Sequence, residues 1–353
     1  MTLRTVLPCL AIIAMTACDG GSQTHKPGAP EKHLPPNITQ LVAFGERPAW
    51  SPDGKRIAFI GKSFGEAYEI DLRTHLVRRL TEHFTHAGFL RVQFLPNGDY
   101  LLVGARTFRD IQHTRYEDEE MWVMKADGAS APTPLESKVE EGVAISRTRM
   151  RIAWANSHQQ YPDRFQAGES AVYVADVVYD GGVPRLANTK EILRGHQPDC
   201  TLEAQDFRFD DTQLIYTCYR EDKADVMGVD LRTGQISTYR KIANEYNEAE
   251  GVSPDGKWVL VESSHDQGQG SAERHTFHYI DIWRLNLEPN GKNFVRMTRF
   301  GEYEGYKASN PVVSPDQRSF AFQAGRTSDP PGVGYGIFVF RLCDDLSVLH
   351  ETK

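Results

Sequence analysis

Carboxylates recur at one kind of place along this chain. Glu46, Glu140 with Glu141, Glu203, Glu248 with Glu250, and Glu302 with Glu304 each stand at or just before the start of a short apolar run. Arg91 and Lys307 are the basic exceptions in that series. If the fold gathers these positions at one mouth, the acidic groups could hold a cation or a basic peptide. Two carboxylates at a defined separation could also serve as general acid and base on a sugar. Glu248 and Glu250, with His265 on the long stretch that follows, are the candidates for that chemistry. The plainer reading is a solvated, acidic rim. His265, His275 and His278 are the imidazoles best placed to hold a transition metal. His275 and His278 have neither the intervening Glu nor the helix of a metallopeptidase site, so no cofactor is expected beyond a divalent metal in the channel. Aromatic residues near these positions, Tyr335 among them, could stack on a peptide or a sugar ring.

The elements that must position these groups are legible from a turn that comes back. Ser51-Pro52-Asp53-Gly54-Lys55 lies between two apolar runs, and each residue has a turn role: Pro presets φ, Asp bonds its own backbone, Gly supplies φ > 0. Ser253-Pro254-Asp255-Gly256-Lys257 repeats it, Ser314-Pro315-Asp316-Gln317-Arg318 nearly does, and Leu95-Pro96-Asn97-Gly98-Asp99 is a looser copy. Equivalent positions fall at Ser51, Leu95, Ser146, Phe209, Ser253 and Ser314. Each is followed by a strand such as RIAFIG or KWVLVE, then by a third strand such as AYEIDL or DIWRLNL, and mostly by a fourth. In the third unit these are AVYVADV and NTKEILR. Four strands per repeat of 40 or more residues is the pattern of a propeller blade. The sixth unit stops after its third strand at Leu342, and Ile38 to Gly45 matches the missing fourth. The expected fold is therefore all-β, a six-bladed β-propeller of four-stranded blades whose N-terminal strand closes the last blade. Domain boundaries follow: a signal at 1–18, a flexible tether at 19–36, the propeller at 37–343 and a tail at 344–353.

The repeated SPDGK units, followed by strands ending in Asp-Leu-x-Thr, resemble the TolB-type β-propeller repeat family over residues 38–342. The resemblance implies the architecture and says little of chemistry. TolB itself is similar to this propeller joined to a smaller α/β domain, for which the 19–36 stretch has no room. The same hairpin repeat builds the propeller of prolyl-oligopeptidase-like peptidases, which need a following hydrolase domain; eleven residues follow Leu342. Some propeller polysaccharide lyases are similar to this repeat and hold a metal through histidines, so a lyase or hydrolase is the alternative to a binding protein.

The blade pattern sorts the connections into two faces. The SPDG turns share one face and are short. The opposite face carries the long loops at 106–120, 156–170, 263–278 and 325–336, and long loops on a rigid scaffold are where binding residues tend to lie. A net charge of −8 over 353 residues disfavours nucleic acid. Arg4, the apolar run Val6 to Met15, and Thr16-Ala17 before Cys18 resemble a bacterial lipoprotein signal, with Cys18 as the lipidated residue. Met15 departs from the usual Leu, which leaves an ordinary signal for secretion to the periplasm as the alternative. Asp19 resembles the mark of retention at the inner membrane. The expected protein sits on the periplasmic face of a membrane and binds an envelope protein or peptide. Cys200 and Cys218 flank the Asp210-Asp211 turn on strands expected to pair, so a disulfide between them is open.

Overall fold

The turn that sets the repeat is held by its own side chains. Ser51 Oγ donates to Asp53 Oδ1 at 2.6 Å, Lys55 N–H donates to the same carboxylate at 3.1 Å, and Arg56 N–H donates to Ser51 Oγ at 3.0 Å. Gly54 takes φ +67°. The same Ser–Asp bond recurs at Ser253–Asp255 (2.7 Å) and Ser314–Asp316 (2.6 Å). In the last of these Gln317 adopts φ +59°, so the missing glycine did not change the turn.

The computed structural model of the chain describes residues 25–342, apart from 222, 267–275, 289–290 and 330–331. Among the described residues the strands form six sheets of four antiparallel strands. Blade one holds Glu46–Trp50, Arg56–Ile60, Ala67–Asp71 and Val77–Arg79. Blades two to five follow in the same order, and their innermost strands are Arg91–Phe94, Val143–Ile145, Thr201–Arg208 and Asn247–Val252. Blade six takes Tyr306–Val313, Ser319–Arg326 and Ile337–Arg341 from the C-terminal end and Ile38–Val42 from the N-terminal end. The closing strand pairs Ile38 with Phe340 and Val42 with Ile337, as the sequence led us to expect. Apolar residues facing between neighbouring blades are buried. One such layer joins Trp258 and Ile282 of blade five to Phe322 and Phe338 of blade six, with Ile38 against it.

Two features differ from the sequence reading. The last two strands of blade three are longer than the short runs suggested: Glu169–Asp180 and Val183–His196 form one hairpin over Gly181-Gly182, both with positive φ. Its far end reaches back to blade two, where the Tyr179 hydroxyl donates to Asp99 and Lys125 lies over the Tyr179 ring at 4.0 Å. Second, residues 25–36 are not a loose tether. Lys26 N–H donates to Glu302 O at 2.7 Å, Ala29 is buried against Tyr303 and Tyr306, and the His33 ring stacks on Tyr303. This segment runs from the loop-rich face, beside Glu302, to the turn face, where Asn37 O accepts from Arg341 N–H at 2.8 Å. The apolar Ala29, Pro30 and Leu34 hold it in place, a signal too short for periodicity to expose. Cys200 and Cys218 are bonded.

Closure ties the two ends of the chain into one sheet and covers the outer edge of Ile337–Arg341. A chain lacking residues 25–42 is therefore expected to lose several kcal/mol of stability, the order of a buried strand's apolar side chains. Urea unfolding checks this; a midpoint unchanged from the full chain would contradict the closure.

Candidate functional site

The innermost strands start at the loop-rich face and line a central channel. In four blades this strand carries one residue more than its neighbour. The register skips between Glu46 and Ala49, between Ala204 and Asp206, between Ala249 and Val252, and between Ser309 and Val312. Such bulges re-aim side chains, and here they turn Arg47, Gln205, Glu250 and Asn310 toward the axis, where all four line the channel. Arg47 and Asn310 accept φ of +54° and +48°, a left-handed backbone that ordinary side chains rarely adopt. Above them the channel opens into a cavity of about 500 Å³. A smaller space of about 320 Å³ continues toward the turn face, between residues such as Trp50, Phe94 and Pro315.

One side of the mouth is acidic. Glu248, Glu250 and Glu262 bring carboxylate oxygens within 4.8 Å of one another. Glu262 comes from the second strand of blade five, directly opposite Glu248 in the ladder. The Tyr219 hydroxyl bridges Glu203 (2.5 Å) and Glu248 (2.6 Å), and the Tyr246 hydroxyl also donates to Glu248. Asn310 donates its backbone N–H to Glu262 and its side-chain amide to Glu250 at 3.2 Å. Neutral donors of this kind do not cancel the charge. Burial pushes Glu262 up to about 8, with Glu248 adding to it, and burial also holds Glu203 and Glu250 well above the usual carboxylate range. Glu140, buried nearby, is pushed up to about 7. Arg91 and Lys307 are cations that act on this cluster, and the Lys307 ammonium donates to Phe277 O at 3.1 Å while burial lowers its pKa.

The other side is rich in arginine. Glu141 receives Arg47 Nη2 at 2.6 Å and both Nε and Nη2 of Arg115, and Arg91 Nη2 stands 3.8 Å away. Burial alone would raise Glu141, but Arg115, Arg47 and Arg91 together hold it well below the usual range. Arg91 also faces Glu203 at 3.9 Å, which is the seam between the two sides.

Of the positions singled out in the sequence, Glu46, Arg91, Glu141, Glu203, Glu248 and Glu250 do line the channel or its mouth. Glu46 is buried and accepts from Ser63 Oγ at 2.8 Å. Three others are elsewhere. Glu302 pairs with Lys26, Arg296 and Arg299 on the rim of blade six, and Glu304 faces His25, because the short 3-10 turn Phe300–Glu302 points them outward before the strand begins. His265 is tied to Glu245 Oε1 at 2.7 Å and to Arg240, edge-on to Trp283, so it is not an acid–base partner of Glu248 or Glu250. Tyr335 sits beside the mouth, with its hydroxyl on Asp329 and Arg326 over its ring at 4.8 Å. His278 packs on Phe277, while His275 and Cys18 lie outside the described residues. Among the described residues the one set with metal-ligand geometry is carboxylate, not imidazole.

Sequence reasoning missed Arg47, Arg115, Tyr219 and Glu262. Arg47 and Asn310 each stand four residues ahead of the repeat's Ser with a proline next, a pattern that marks these bulges. Arg115 arrives on the 106–120 loop, where a single helical turn Ile111–His113, capped by Asp110, continues as a wider turn over Thr114–Asp118. Nothing local marks Glu262 as different from any strand residue. Gly61-Lys62-Ser63-Phe64-Gly65 has the spelling of a hydrolase nucleophile elbow. It lies between two strands with no helix after it, and Ser63 bonds Glu46 rather than a histidine, so it is a loop of blade one.

No protein-family model matches the chain, and no curated protein matches it in sequence. Solved structures do share its shape. A gluconolactonase from Xanthomonas campestris superposes with a TM-score of 0.54 at 12% identity, over 87% of this chain and 89% of that one. An oligogalacturonate lyase from Vibrio parahaemolyticus gives 0.50 at 11%, over 87% and 94%. TolB from Acinetobacter baumannii gives 0.45 at 16%, over 86% and 67%. At these identities the likeness shows the β-propeller fold and leaves the chemistry to the site.

The raised Glu262 has a signed consequence for stability. Its carboxyl holds a proton in the folded state up to about pH 8, whereas the unfolded chain releases it near its ordinary value. The folded state binds more protons in between, so stability falls as pH rises through that window. Glu262→Gln imitates the protonated form and is expected to be the more stable protein at pH 9, by on the order of 2–4 kcal/mol, and nearly equal to the parent at pH 4. Chemical denaturation at the two pH values checks this.

Proposed function

We propose that this protein binds an envelope protein or peptide by drawing a basic segment of that partner into the acidic side of the channel mouth. The observation that carries the reading is the imbalance of charge. Glu203, Glu248 and Glu262 line one cavity, Glu250 comes within 4.8 Å of Glu248 and Glu262, and facing these four carboxylates are Arg91, which is shared with Glu141, and Lys307, whose ammonium donates to Phe277 O. Carboxylates this buried either keep protons or accept a cation. A lysine or arginine side chain entering the cavity would displace those protons and gain charge-assisted hydrogen bonds. The 500 Å³ available is ample for one such side chain and its backbone.

The location we propose is the periplasmic face of a bacterial membrane, with Cys18 as the lipidated anchor. The described chain begins at His25 on the same face as the mouth. Seven residues reach at most about 25 Å, so an anchor at Cys18 would keep the mouth close to the membrane surface. Among the described residues no helix is long and apolar enough to cross a membrane. The alternative of a lyase that holds a metal through histidines finds no carrying observation in the geometry, since His265 lies apart from the carboxylates.

Trilysine is the direct probe. Calorimetry is expected to show binding that strengthens from pH 6 to pH 8.5 and weakens at least about tenfold in Glu248→Gln and Glu262→Gln. Absence of binding, or binding indifferent to both substitutions, would refute the reading.

A further inference from the structure

The arginine side of the mouth holds donors with nothing to donate to. The Arg47 side chain is 7% exposed, and its Nη2 reaches Glu141, but Nε and Nη1 are buried without an acceptor. Arg91 is 12% exposed; its Nη2 stands 3.8 Å and 3.9 Å from Glu141 and Glu203, beyond hydrogen-bond reach, and its Nε is also buried and unpaired. Arg115 differs, since two of its nitrogens bond Glu141. Leaving a buried donor unmade costs about 1–3 kcal/mol, more on a charged group, so these three nitrogens call for an explanation. Two structural facts sharpen it. Arg47 is turned inward by a bulge and held in a left-handed backbone, its own N–H fixed on Gln323 Oε1 at 2.5 Å. Both arginines line the channel itself.

Buried guanidinium donors left without an acceptor are suited to a carboxylate, whose oxygens accept charge-assisted hydrogen bonds. Glu203 Oε1 is likewise buried and unpaired on the other side of the seam, 3.9 Å from Arg91 Nη2. We infer that the mouth is bipolar and takes the C-terminal residue of a peptide chain ending in lysine or arginine: the terminal carboxylate on Arg47 and Arg91, the side-chain cation among Glu203, Glu248, Glu250 and Glu262. This rests on the proposed function and adds to it which end of the partner enters. A basic residue inside a chain supplies the cation without the carboxylate. A C-terminal one supplies both, and so matches the unpaired donors on one side and the surplus carboxylates on the other.

Three peptides, each acetylated at its N-terminus so that the side chain is the one cation on offer, separate this inference from the reading it extends: Gly-Gly-Lys as the free acid, Gly-Gly-Lys amide, and Gly-Gly-norleucine as the free acid, titrated calorimetrically into the full chain. The free acid of Gly-Gly-Lys is expected to bind about tenfold tighter than its amide. Arg91→Gln and Arg47→Gln are expected to abolish the preference for the acid, so that acid and amide bind each variant equally. Equal affinity of acid and amide for the unmodified protein would overturn the inference while leaving the cationic reading intact, and needs no variant to fold. Norleucine peptide binding as well as the lysine peptide would overturn the cationic reading. No binding by any of the three would overturn both.

Discussion

The ring must close, and it closes through one strand pair. Ile38–Val42 supplies the outermost strand of a blade whose other three strands lie some 270 residues or more further along the chain. Closure fixes the order of the blades, and with it the direction of all six innermost strands. Their starting ends then have to meet around one axis. Every charge placed there is brought within reach of the others, whatever its position in sequence. The segment 25–36 adds to this closure by packing over blade six, and it places the chain's entry on the loop-rich face.

That convergence turns ordinary strand-entry residues into a site. Single carboxylates at strand starts are usually solvated and unremarked. Here Glu203, Glu248 and Glu250 meet Glu262 of a second strand around two tyrosines and an asparagine, and donors from neutral groups stabilise their positions without balancing their charge. On the arginine side the opposite holds, because one carboxylate, Glu141, is asked to satisfy three guanidinium groups and leaves donors over. The two surpluses lie side by side and pair only in part, since Arg91 Nη2 stands 3.9 Å from Glu203, within ion-pair range but beyond hydrogen-bond reach. A folded protein that leaves opposite charges buried and incompletely paired carries a cost in stability. The cost is rational if a ligand completes the pairing.

Most of the fold was legible in the sequence, because the turn chemistry repeats: Ser51, Ser253 and Ser314 bond the following Asp in the same way in three blades. The site was legible only in part. Glu46, Arg91, Glu141, Glu203, Glu248 and Glu250 stand at strand entries and could be counted from the repeat. Glu302 and Glu304 look the same in sequence and are not there, because a 3-10 turn that no local signal marks sends them outward. Glu262 comes from a second strand, and its direction depends on which way the ladder's pleat faces once Ala249 and Val252 flank a bulge. Arg115 depends on how a fifteen-residue loop folds back, which is a tertiary matter.

The central claim is that buried, protonated carboxylates at the mouth exchange their protons for a cation. Calorimetric titration of trilysine at pH 7, repeated in buffers of different ionisation enthalpy, counts the protons moved on binding. The account predicts release approaching one proton, chiefly from Glu262, that vanishes by pH 9.5 and is lost in Glu262→Gln. Binding at pH 7 with no proton released, or with protons taken up, would contradict it.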